Sequence, residues 1–146
     1  MHHASIRTAD IHQAIAFYEK LGFTPEERFT AGITLACWMT GLGGRIELLQ
    51  VPEPAPTADA FHDEHYTGYY HLSFDLTDAL TTLGQTLPDW LAQLQQRFAQ
   101  ADPPLEVKVL LPPQQQMIGP HVYEVMFIAD TDGLPLEFLR MMNHGR

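Results

Sequence analysis

The chain has 146 residues, 45% of them hydrophobic and 18% charged, with a single cysteine, Cys37. That length buries the core of one domain without staples, and one cysteine leaves no internal disulfide to form, which fits a reducing, cytoplasmic setting. Eight Lys and Arg against eighteen Asp and Glu give a formal charge of −10, which argues against the basic surfaces that nucleic acids and anionic membranes require and leaves a small molecule or a protein as the expected partner.

No run approaches the roughly 20 apolar residues of a membrane span, and no charged-then-apolar leader is visible. The opening "HHASIRT" alternates, with Ala4 and Ile6 on one face and His3, Ser5 and Arg7 on the other. The spacing of Ile11, Ala14, Ile15, Tyr18 and Leu21 then predicts a helix, with Asp10 as N-cap and Gly22 as its stop. Residues 23–51 read as three short strands, "FTPEERFT", "TLACWMT" and "GRIELLQV", followed by a Pro-, Asp- and His-bearing loop to about Tyr66.

The order then recurs. "YHLSFDL" alternates, with Leu72, Phe74 and Leu76 opposed to His71, Ser73 and Asp75. Pro88 opens a helix whose stripe is Trp90, Leu91, Leu94 and Phe98. "LEVKVLL", "HVYEVMFIAD" and "LPLEFLRM" read as strands, the last two joined by a turn at Asp130–Gly133. Between them, residues 112–121, "PPQQQMIGPH", read as a mobile loop able to cover a site. The expectation is α+β: residues 1–146 as one domain of two βαβββ units, about 1–51 and 69–142.

Each unit places a carboxylate within an apolar last strand, Glu47 in one and Glu137 in the other, and a histidine on the polar face of its first strand, His3 and His71. A buried carboxylate is costly unless something neutralises it. If an approximate two-fold axis relates the units, the four side chains converge on a point that suits a divalent metal. Such a mixed set accepts Ni²⁺ or Zn²⁺, with Mn²⁺ and Fe²⁺ as further options.

"HASIRTADIHQAIAFYEKLGF", "RIELLQ", "YHLSFDL" and "FIADTDGLPLEFLR" together resemble the signature segments of the vicinal oxygen chelate superfamily, which includes glyoxalase I, extradiol dioxygenases and bleomycin-resistance proteins. The resemblance implies paired βαβββ modules forming a half-open sheet cup around a metal. His3, Glu47, His71 and Glu137 follow the His, Glu, His, Glu ligand order of glyoxalase I, and Arg7 falls where that enzyme holds a glutathione carboxylate. The implied activity is a lactoylglutathione lyase, isomerising the hemithioacetal of methylglyoxal and glutathione through an enediolate, with Glu137 carrying the proton. Where the glyoxalase pattern has Asn four residues after the first Glu ligand, this chain has Val51. Other readings are an epimerase, isomerase or dioxygenase on another small oxygenated substrate, or a non-catalytic binding or resistance protein. A homodimer is expected, with the site either inside one chain or shared across two. Cys37 is expected to be a buried small hydrophobe, and Met117, Met126, Met141 and Met142 to fill packing gaps.

Overall fold

A computed structural model describes residues 1–142 of the chain. It contains eight strands and three helices among those residues, arranged as two four-stranded sheets with helices against them. The first sheet holds β1 (Ala4–Thr8), β2 (Thr24–Ala31), β3 (Thr34–Gly41) and β4 (Gly44–Gln50) in the order β1-β4-β3-β2. The second holds β5 (Leu72–Asp75), β6 (Val109–Ile118), β7 (His121–Ala129) and β8 (Pro135–Met141) in the equivalent order β5-β8-β7-β6. In each, the first and last strands pair in parallel and the other pairs are antiparallel. The α+β class and the repeated sheet order follow the sequence pattern.

The described residues form two compact units, Met1–Ala58 with Asp130–Gly133, and Asp59–Ala129 with residues 134–142. In the first unit, α1 (Ile11–Leu21) starts where the Asp10 carboxylate accepts from the backbone N–H groups of His12 and Gln13. The apolar stripe from Ile11 to Leu21 is buried, and the helix stops at Gly22 with φ 114°. Gly41 is required by space, since a Cβ there would meet the Gly22 carbonyl oxygen and the Phe23 Cα at 2.7 Å each. Cys37, Met39 and Leu48 are fully buried on the inner face of this sheet, so Cys37 is the small core residue expected.

The second unit departs from the expected βαβββ order by one extra helix. α2 (Thr77–Leu83) precedes α3 (Leu87–Ala99), and Gly84 separates the two in the left-handed conformation. α2 is nucleated by the Asp75 carboxylate, which accepts from the Thr77 N–H at 2.9 Å, a local bond that a seven-residue window rich in threonine does not advertise. α3 is closed by a reciprocal capping box between Thr86 and Asp89 and buries Leu87, Trp90, Leu91, Leu94 and Phe98.

The covering loop expected at residues 112–121 is corrected: Pro112 to Ile118 belong to β6, and only Gly119 and Pro120 turn back to β7. Two prolines fit there because β6 is an edge strand and the β6–β7 register shifts between Leu111 and Gln114, where no ladder N–H is needed. Met117, on this strand, is 62% exposed rather than filling a gap, whereas Met126 is fully buried.

Candidate functional site

Each unit brings its own histidine and glutamate together at the junction of its two parallel strands. In the first, Ser5 lies directly opposite Glu47 across the β1–β4 pair, and its hydroxyl donates to Glu47 Oε1 at 2.9 Å. His3 Nε2 is 3.5 Å from the same oxygen. In the second, Ser73 lies opposite Glu137 across the β5–β8 pair and donates to Oε1 at 2.6 Å, with His71 Nε2 at 3.5 Å. The shared "HxS" spacing at 3–5 and 71–73 places both serines, which the alternation of the strands marks only as polar-face residues.

The repeat also positions a cross-strand neighbour for each carboxylate: Trp38 opposite Glu47, and Phe127 opposite Glu137. Trp38 Nε1 donates to Glu47 Oε2 at 2.9 Å, so both oxygens of Glu47 are engaged. Phe127 has no donor, and Oε2 of Glu137 has no hydrogen-bond partner among the described residues. The Trp38 bond, with smaller help from Ser5, His3 and His2, holds the Glu47 carboxyl below its ordinary value against the opposing effect of burial.

The surroundings differ as well. His2 Nδ1 lies 2.8 Å from His3 Nδ1, and the His2 ring packs edge-on against Trp38. His71 instead sits among apolar rings, edge-on to Phe127 and Tyr70, and its buried Nδ1 has no hydrogen-bond partner. Phe61 and Tyr70 flank Phe127, and burial beside Glu137 raises the Tyr70 hydroxyl pKa. Arg7 shares the β1 face of Ser5, is exposed, and has no ion-pair partner among the described residues. Of the other histidines, His62 pairs with Asp59 at 2.9 Å in an exposed loop, and His121 is exposed at the start of β7.

A neutral imidazole nitrogen and a carboxylate oxygen 3.5 Å apart, too far to satisfy each other, are the donors a borderline divalent cation takes. Each pair fits half of a four-ligand set. Among the described residues no group of three or more His, Cys, Asp or Glu is placed to hold an ion. The Asp130–Gly133 turn has a structural role. The Tyr18 hydroxyl donates to buried Asp130 at 2.7 Å, and the Thr8 hydroxyl and Ala9 N–H donate to Asp132.

Residues 1–138 match the family model of the Glyoxalase/Bleomycin resistance protein/Dioxygenase superfamily. Among solved structures, the chain is similar to the glyoxalase family protein from Enterococcus faecalis, at 18% identity and a TM-score of 0.70, covering 96% of each chain. It is also similar to the glyoxylase/bleomycin resistance protein/dioxygenase domain from Frankia sp. EAN1pec, at 20% identity and a TM-score of 0.69, covering 97% of each chain. A glyoxalase/dioxygenase from Nostoc punctiforme aligns at 18% identity and a TM-score of 0.66, over 97% of this chain and 90% of that one. No curated protein matches the chain in sequence. No helix among the described residues is long and apolar enough to cross a membrane.

Proposed function

Because the chain belongs to the glyoxalase/bleomycin resistance protein/dioxygenase superfamily, we propose that it is a metal-dependent enzyme of glyoxalase type, converting the hemithioacetal of methylglyoxal and glutathione into a thioester. The observation that carries this reading is the duplicated His–Ser–Glu arrangement, in which two carboxylates and two imidazoles are presented in matched pairs. His3, Glu47, His71 and Glu137 would hold the ion, which when bound supplies Lewis-acid stabilisation of the substrate's adjacent oxygens. Ni²⁺ or Zn²⁺ suits that donor set first, then Mn²⁺ or Fe²⁺.

The asymmetry of the two glutamates assigns their roles in this proposal. Glu47, gripped at both oxygens by Ser5 and Trp38, stays put as an anion. Glu137, held by Ser73 at Oε1 alone, has Oε2 available as the base. Oε2 takes the proton from the carbon bearing the thioether sulfur and returns it to the neighbouring carbon, while the hydroxyl proton passes to the other oxygen. The net result is an isomerisation with no redox partner. Arg7 would meet a substrate carboxylate.

The decisive experiment measures bound metal and lactoylglutathione formation for the purified protein, its Glu137→Gln variant and its Glu47→Gln variant. Turnover that falls by about a hundredfold or more in Glu137→Gln supports the assignment. A protein that neither carries nor takes up Ni²⁺, Zn²⁺, Mn²⁺ or Fe²⁺ overturns it. A second reading draws on Phe61, Tyr70 and Phe127 beside His71: an apolar wall suits a substrate less polar than a glutathione adduct. It makes the protein an epimerase, isomerase or dioxygenase of the same superfamily, or a binding protein, and metal-dependent turnover without glutathione would favour the enzymes.

A further inference from the structure

Arg45 stands on the same face of β4 as Glu47, two residues before it, and opposite Thr40 on β3. A cavity of about 420 Å³ opens there, lined by Met1 and His2 at one side and by Thr40, Gly41, Gly43, Gly44 and Arg45. Its volume lies within the range of small-molecule sites. It adjoins the His3–Glu47 pair through His2, whose ring nitrogen contacts that of His3.

The guanidinium is only partly used. Nη2 meets the Glu26 carboxylate at 3.1 Å, Nη1 reaches the His2 carbonyl at a long 3.4 Å, and Nε is buried without a partner. The Arg45–Glu26 pair is itself partly exposed, at 29% and 36%, and such pairs hold weakly enough for a ligand carboxylate to compete. Gly44 adds an independent observation. Its φ lies outside the left-handed region and a Cβ would meet nothing within 4 Å, so the fold does not demand glycine there. A bare backbone at the cavity wall is what close approach by a ligand needs.

We infer that this cavity is a subsite for a carboxylate of a small-molecule ligand, with Arg45 as the planar donor that receives it. Arg7 lies opposite Leu49, two residues beyond Glu47, so the two arginines bracket Glu47 on one face, on the order of 13 Å apart along the strands. The ligand is therefore a compound with two separated anionic groups and its reactive oxygens between them. This extends the glyoxalase reading, on which it rests for the choice of probe.

Isothermal titration calorimetry of the protein as purified, with S-methylglutathione and with its diethyl ester, tests the subsite. The free acid is expected to bind at least about tenfold more tightly than the ester. Arg45→Gln should weaken the acid by a similar factor and leave the ester unchanged. Gly44→Val, which the backbone accepts, should weaken both by crowding the wall. Equal binding of acid and ester, binding of neither, or an Arg45→Gln variant indistinguishable from the parent overturns the subsite. Arg45-dependent binding of the acid without turnover of methylglyoxal and glutathione keeps the subsite and removes the proposed reaction. Turnover with an unchanged KM in Arg45→Gln does the reverse.

Discussion

Trp38 and Phe127 occupy equivalent places in the two sheets, each directly across from the glutamate of its own unit. One offers an N–H and the other a bare ring edge, and that single difference decides whether a carboxylate is fixed at both oxygens or at one. Replacing Trp38 with Phe should therefore make the first unit chemically like the second. Loss of a hydrogen bond to a largely buried anion costs about 1.5–3 kcal/mol at neutral pH. Glu47 has a lowered carboxyl pKa, so its contribution is complete above the ordinary value of 4.5 and is lost as pH falls through the lower folded value. The stability gap between parent and Trp38→Phe, read from urea midpoints, should thus be full near pH 7 and close as pH drops below that range. A gap that stays constant with pH would mean that Trp38 acts by packing alone. None of this was legible from the sequence, because pairing Trp38 with Glu47 requires the β3–β4 register, whereas Glu47 and Glu137 stood out as carboxylates within apolar strands and His3 and His71 as histidines at matching places on the polar faces of the first strands.

At the scale of elements, what the sequence made readable was whatever local chemistry determines. α1 has its cap, stripe and stop written in order from Asp10 to Gly22, and the structure keeps all three. α2 was missed because its start depends on Asp75 turning back on Thr77 at the end of a strand, and threonines carry little helical signal. β6 was misread because prolines normally break a ladder, and only its edge position and shifted register accommodate Pro112 and Pro113. The Asp130–Gly133 turn was recognised, but its tie to α1 through Tyr18 spans 112 positions of sequence and leaves no local trace. Burial first, and then Asp130, raises the Tyr18 hydroxyl pKa well above its ordinary value of 10. A raised folded value means stability is fully present below pH 10 and falls as pH climbs beyond it, since the unfolded chain loses the proton first. Tyr18→Phe should cost about 1–3 kcal/mol at pH 8. The deficit should then shrink between pH 10 and 11, where the parent weakens, and urea midpoints at the two ends of that range measure it. An unchanged deficit would show that the hydroxyl is not the group responsible.

For the whole molecule, the repeat is the property that makes the site more than a set of polar residues. Two sheets of identical strand order present His, Ser and Glu at matching positions, yet among the described residues each unit sets only one imidazole within 4 Å of its carboxylate and no group of three ligands forms. Two donors are too few for tight binding of a divalent ion, which takes three or four protein ligands in catalytic and structural centres. If the proposed function holds, both pairs serve one ion, whether drawn from one chain or from two, and binding is then a joint property of the repeat. His3→Ala/Glu47→Ala and His71→Ala/Glu137→Ala should each reduce bound metal from about one ion per chain to almost none, because either double substitution leaves a two-ligand remnant. Metal analysis after dialysis, with circular dichroism to confirm that each variant keeps its fold, separates this from the alternative. Two independent weak sites would instead lose half their metal in each variant and all of it only when the substitutions are combined. That halving would dissolve the shared centre, and with it the reason for two carboxylates in apolar strands of a chain already carrying a formal charge of −10.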